Sequence, residues 1–209
     1  MSYSSLAAHA AIAAATLAII ALAAVHILKP DVDPSRTMIS QYALGRHGWV
    51  MGLCFAAFGA GGAFLSAALM SHAPSLLSRV GMGFLLAAAV AAMAAVFPMD
   101  PVSTPPKQWS FSATMHGAGF MIGVPSQVFA VLLLSFALGR QGSHRVLPLL
   151  VLAAVMCLSL IIMITIMLIV GPGKPPNPDG PERFLGWPNR LFMVVYGGWL
   201  IVAAWPMAR

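Results

Sequence analysis

Residues 147–171 read LPLLVLAAVMCLSLIIMITIMLIVG, twenty-five positions without a Lys, Arg, Asp or Glu. At about 1.5 Å per residue, a helix needs roughly 20 apolar residues to cross about 30 Å of hydrocarbon. This stretch is long enough alone. Working outward, segments 6–28, 49–71, 80–98, 115–139 and 191–208 have the same character, and none contains a Lys, Arg, Asp or Glu. Hydrocarbon offers no hydrogen-bond partner, so each segment must satisfy its backbone internally, as a helix. A barrel would need alternating segments of about ten residues, which are absent. The chain is expected to be all-α, an integral membrane bundle of six transmembrane helices forming a single domain, 1–209.

Composition agrees. Of 209 residues 60% are hydrophobic and 8% charged, against about 25% charged in a soluble domain. Eleven basic and five acidic side chains cannot wet the surface of a soluble protein this size. Disordered, collagenous and disulfide-rich secreted chains are excluded by the same figures. The first segment contains Ala21-Leu22-Ala23-Ala24, which resembles a signal-peptide cleavage site. No positive region precedes it and its apolar run is too long, so it is read as a span. Cys54 and Cys157 both fall within spans, which argues against a structural disulfide. Gly59, Gly61, Gly62, Gly119 and Gly123 suit close helix packing inside one bundle.

The connections alternate in length. Loops 29–48, 99–114 and 172–190 are long and share one face; loops 72–79 and 140–146 are short and share the other with both termini. All five acids (Asp31, Asp33, Asp100, Asp179, Glu182) lie on the long-loop face. The short-loop face has Arg79, Arg140, Arg145 and Arg209 with no acid. Counting Lys and Arg alone puts the long loops inside. The purely basic character of the short loops favours the opposite, and the termini are expected to be cytoplasmic. The formal charge of +6 is spread over many loops, which fits lipid headgroups and argues against nucleic-acid binding. The last long loop is rich in proline (Pro172, Pro175, Pro176, Pro178, Pro181, Pro188) and is expected to be extended and semi-rigid. Trp109 and Trp187 suit the interfacial aromatic belt.

Asp100 stands where the third helix must stop and His116 opens the fourth, so both belong to one interface. A carboxylate that orients an imidazole makes an acid–base pair. The alternative is that Asp100 caps the fourth helix or pairs with Lys107. His116, Gly119, Gly123 and Gln127 recur at helical spacing, a small polar stripe. Gln127 lies mid-membrane, where an amide facing lipid is expensive, so it is expected to face the interior. It then either lines a polar cavity running inward from His116 or bridges helices. No metal-ligand spacing occurs, no metal site is expected and no cofactor is predicted. Haem would require His26 with His116, the one pair of membrane histidines at a common interface. His72 and His144, in the short loops, are expected to be solvated.

Ile39-Ser40-Gln41-Tyr42-Ala43-Leu44-Gly45 with Trp49, then Phe97-Pro98-Met99-Asp100, His116, and Gly186-Trp187-Pro188-Asn189-Arg190 occur in that order. Together they resemble the domain-of-unknown-function 998 family, small multi-pass membrane proteins of bacteria and archaea. The likeness covers nearly the whole chain. It implies six helices and a one-sided polar site, and it implies no agreed activity; the chain is expected in a bacterial inner membrane. A Glu commonly follows the motif serine in that family, where this chain has Gln41; any acid–base role of that position is in doubt here.

Ser40, Gln41, Tyr42, Asp100, His116, Glu182, Arg183, Asn189 and Arg190 all map to the long-loop face. Arg holds phosphate or carboxylate through a planar fork. The set is expected to form a juxtamembrane pocket for a lipid-like amphiphile with an anionic or polar head. His116 serves as acid or base and Asp100 orients it. Arg190 and Arg183 hold the head, and Ser40, Gln41, Tyr42, Gln127, Glu182 and Asn189 complete the binding set. Whether the chain is an enzyme is open. The alternative is a non-catalytic subunit of a larger membrane complex, binding pigment, quinone or protein partners.

Overall fold

The computed structural model describes residues 1–72, 75–140, 146–170 and 179–209. His144, Arg145 and the prolines at 172, 175, 176 and 178 fall outside the described residues. Six α-helices follow in order: α1 (Tyr3–Leu28), α2 (Gly48–Leu69), α3 (Leu76–Ala88), α4 (Phe111–Gly139), α5 (Val146–Val170) and α6 (Gly186–Ala204). Tight 3-10 turns occupy Ile39–Ala43, Ala89–Ala95, Pro106–Gln108 and Pro181–Phe184, and no strand occurs among the described residues. The starts of α1, α3 and α4 are fixed by serines. Ser2, Ser75 and Ser110 each accept from the amide three residues on, at 3.1 Å, satisfying one of the donors a helix start leaves free.

Each helix packs against its successor, and α6 closes the ring onto α1. Along α1 the small residues Ala8, Ala11, Ala15 and Ala18 are fully buried, so close backbone approach, rather than long side chains, makes that contact. Ser4 ties its start to α2 through the Ala68 carbonyl, 2.8 Å. Trp199 of α6 is fully buried and donates to Ser135 of α4 at 2.9 Å. Leu158, Ile161 and Leu168 of α5 are exposed, as a lipid-facing helix requires. Five stretches are long and apolar enough to cross a membrane: α1, α2, α3 with its 3-10 continuation to Ala95, α4 and α5.

Two elements depart from the sequence reading. The expected third span, 80–98, starts earlier, at Leu76, and tightens after Ala88 into a 3-10 turn. That turn is wedged between α2 and α4. A Cβ on Gly59 of α2 would lie 2.6 Å from that of Ala92, and one on Gly123 of α4 would lie 2.8 Å from the Ala91 backbone. The glycines are therefore the grooves that admit Ala89–Ala95, and the stripe on α4 is internal packing. The sixth helix starts at Gly186, five residues before the expected 191. Pro188 is no obstacle, because a helix's first turn has no use for its missing N–H. The Gly186 amide instead donates to Ser35 O at 2.7 Å. Asn189 and Arg190 therefore belong to the helix itself, and both are buried.

Candidate functional site

A narrow cavity of about 60 Å³ runs into the bundle between α2, the 3-10 turn after α3, α4 and α6. Its outer wall is Met38, Ile39 and Ser40 from the 3-10 turn before α2. Its flank is Ala88, Ala91, Ala92 and Ala94, and its remaining wall is largely apolar, with Phe58, Phe120, Val124 and Phe192. Four polar side chains interrupt it: Ser40, His116, Gln127 and Asn189. No charged side chain is among the described lining residues. His116 and Gln127 share the stripe predicted for α4. Eleven residues of helix place them about 16 Å apart along the axis.

His116 is 8% exposed. Its Nδ1 lies 2.9 Å from the Phe97 carbonyl. A carbonyl only accepts, so Nδ1 carries the proton and the neutral ring presents Nε2 as an acceptor. Phe55 meets the ring edge-on at 6.2 Å between centroids. Gln127 is 3% exposed, and its Oε1 has no hydrogen-bond partner. An amide oxygen orphaned in a low-dielectric core costs roughly 1–3 kcal/mol. The expectation that Gln127 faces inward therefore holds. Its carbonyl does not bridge helices.

The expected contact between Asp100 and His116 is not formed. Asp100 accepts from the Ser110 amide at 2.7 Å and from its hydroxyl at 2.8 Å, bracing the residue that caps α4. His116 is oriented by the Phe97 carbonyl instead. The geometry is that of the capping alternative: a carboxylate finds stronger partners in a free helix-start amide and a hydroxyl than in a neutral imidazole whose donor is already engaged.

Arg190 does not face the cavity opening. It is 7% exposed and donates through Nε to His26 Nε2 at 2.6 Å, and through Nη1 to Thr37 O at 2.8 Å and Gly186 O at 2.9 Å. Its guanidinium sits 5.2 Å from the Tyr42 ring centroid, a cation–π contact; Nη2 has no hydrogen-bond partner. Tyr42 is fully buried and donates to Val32 O at 3.1 Å. Lys29, also buried, donates to the carbonyls of Tyr42 and Leu44. Arg190 thus clasps α1, α6 and loop 29–47 together, and it is not among the residues that line the cavity. His26 has Nδ1 against Leu22 O and Nε2 held by Arg190. Both ring nitrogens of His26 are thus engaged by protein.

The other candidates fall in two sets. Asn189 lines the cavity while its Oδ1 accepts from the Ile39 amide at 2.8 Å, pinning the outer wall to α6. Gln41 pins the same wall from the other side, donating to Asp100 O at 3.0 Å and accepting from the Val102 amide at 3.2 Å. Glu182 and Arg183 lie on the 3-10 turn before α6, away from the cavity lining, and the Arg183 guanidinium stacks on Phe184 at 4.6 Å. No group of three or more His, Cys, Asp or Glu gathers among the described residues. Sequence reasoning missed the Phe97 carbonyl and the alanine wall, since a carbonyl partner and a run of alanines leave no distinctive residue type to find.

Long apolar helices packed in a closed ring define a multi-pass helical membrane protein. More narrowly, the chain belongs to the protein-of-unknown-function family DUF998, whose profile matches residues 12–206. No curated protein and no solved structure matches it.

Proposed function

We propose that the protein binds a lipid-like amphiphile in the cavity between α2, α4 and α6. All six helices cross a bacterial inner membrane, with both termini cytoplasmic and the cavity mouth at the opposite face. The observation that carries this is the cavity's lining: an apolar wall of membrane-helix side chains interrupted by Ser40, His116, Gln127 and Asn189. Ligand sites are typically apolar with a few placed polar groups. The buried Gln127 carbonyl, unpaired within the protein on a side chain that lines the cavity, is such a group.

His116 is the one titratable side chain among the described lining residues, and it is the residue to take or deliver a proton if chemistry accompanies binding. Gln41, Tyr42, Asp100 and Arg190 serve the site indirectly by fixing the loops that form its mouth. At about 60 Å³ the cavity is far below the roughly 300–1,000 Å³ of drug-sized sites, so the ligand is slender where it enters the protein. Native mass spectrometry of the chain released from bacterial membranes tests this. A retained small amphiphile, diminished in His116→Phe and Gln127→Leu, is the expected result. Ligand-free spectra for the wild-type chain overturn the proposal.

A further inference from the structure

We infer that the cavity selects an uncharged ligand bearing a hydroxyl group, and that it excludes the anionic headgroup that the arginines in the sequence suggest. The inference rests on the binding function proposed above and names its ligand class. The first observation is a charge census. No Lys, Arg, Asp or Glu occurs among the described lining residues. Arg190 is not among the lining residues; its Nε and Nη1 are held by His26, Thr37 and Gly186, it stacks on Tyr42, and its remaining nitrogen, Nη2, is buried without a hydrogen-bond partner. A carboxylate or phosphate entering this apolar wall would lose its hydration with no cation to compensate, which is among the costliest transfers in protein chemistry.

The second observation is what the wall asks for. The Gln127 carbonyl, on a side chain 97% buried by its 3% exposure, needs a donor. The His116 ring, with its proton committed to the Phe97 carbonyl, also presents an acceptor. A hydroxyl supplies a donor and, in return, accepts from the Gln127 amide NH2. A carboxylate or sulfate has acceptors only and leaves the Gln127 carbonyl unmet. With the oxygen and nitrogen of the Gln127 amide exchanged, a hydroxyl still matches the unpaired end, and discrimination against an anion then rests on the uncharged lining alone. The stripe of Gly119 and Gly123 between the two polar positions is filled by the Ala89–Ala95 turn, so the passage between them is narrow and suits an unbranched chain.

The test uses the full chain in phosphatidylcholine nanodiscs with two photoreactive diazirine probes of equal chain length, a decanol analogue and a decyl sulfate analogue. Labelling of α4 around Val124 is normalised to labelling of the lipid-facing Leu158, which removes differences in membrane partitioning. The decanol probe is expected to label the cavity at least about tenfold more than the sulfate. Gln127→Leu is expected to lower decanol labelling about fivefold, the worth of one neutral hydrogen bond, while its thermal midpoint stays at or above wild type. Gln127→Met provides a second variant with the same expected direction. Equal cavity labelling by sulfate and alcohol overturns the hydroxyl selectivity and leaves amphiphile binding standing. Decanol labelling unchanged in both variants also overturns it. Labelling of Leu158 with no cavity labelling by either probe overturns both the selectivity and the binding function.

Discussion

Replacing Arg190 by Met keeps much of the apolar stem and removes every donor of the guanidinium. Three hydrogen bonds disappear, to His26 Nε2, Thr37 O and Gly186 O. The imidazole nitrogen is left as an acceptor without a donor, at roughly 1–3 kcal/mol. The Thr37 carbonyl lies in a half-buried loop, where water replaces part of its bond, and the Gly186 carbonyl still has its helical partner. Removing a buried charge returns some of the loss. The net expectation is about 2–4 kcal/mol of destabilisation, read from unfolding in mixed micelles of rising SDS fraction. Arg190→Lys falls between, because one ammonium cannot reach both His26 and Thr37. In a double-mutant cycle with His26→Phe, a coupling of about 1–2 kcal/mol is expected, as for residues in direct contact. If Arg190→Met unfolds at the wild-type SDS fraction while ligand retention is lost, Arg190 is a ligand contact, and the clasp assigned to it is refuted.

Asp100→Asn is expected to leave ligand retention unchanged and to cost about 0.5–2 kcal/mol, a capping-scale effect, measured in the same micelle titration; an orienting partner of His116 would instead abolish any proton-transfer activity. Gln41→Glu removes the donor to the Asp100 carbonyl and sets a negative charge against that oxygen. It should destabilise by about 1–2 kcal/mol at neutral pH and recover below about pH 4, when the new carboxyl regains a proton to donate. Gly123→Ala forces a methyl to within 2.8 Å of the Ala91 backbone; a loss of about 1–3 kcal/mol is expected, with the oligomeric state the same as that of the wild type, because that glycine packs internally. Asp33 is held below the usual carboxylate range, chiefly by the Ser35 hydroxyl and then by its amide. A depressed pKa contributes order that is complete above the ordinary value near 3.9 and is lost as pH falls through the folded value. The Ser35 amide resonance should therefore hold its position down to about pH 4 and move only below it.

The helices were legible because hydrocarbon imposes one rule on every span, and apolar runs announce it. The limits of that signal appear at α6. Asn189 and Arg190 look like loop residues by polarity, yet both are buried inside the helix. Their partners are Ile39, His26 and Thr37, which lie about 150 residues away and leave no local trace. For the same reason the arginine suggested an anionic ligand, whereas in the folded chain its Nε and Nη1 are held by protein and the residue is not among those lining the cavity. The stripe from His116 to Gln127 was readable, since helical spacing alone puts those residues on one face. The wall opposite was not: a 3-10 turn of alanines has the composition of any apolar helix, and its winding is set by the glycines of α2 and α4 that admit it. Asp100 was ambiguous because a carboxylate between two helices serves a cap or an imidazole equally well by type. Only the position of Ser110, with both a free amide and a hydroxyl in reach, decides between them.

The most direct measurement is an electron cryomicroscopy structure of the protein taken from its native membrane in lipid nanodiscs, bound to a rigid antibody fragment to give it size. Elongated density is expected between Ser40 and Gln127, ending within hydrogen-bond distance of the Gln127 amide and away from Arg190. A closed cavity in which the Gln127 carbonyl has found a protein donor would contradict the account, because the unpaired amide and the passage leading to it would then have no ligand to serve.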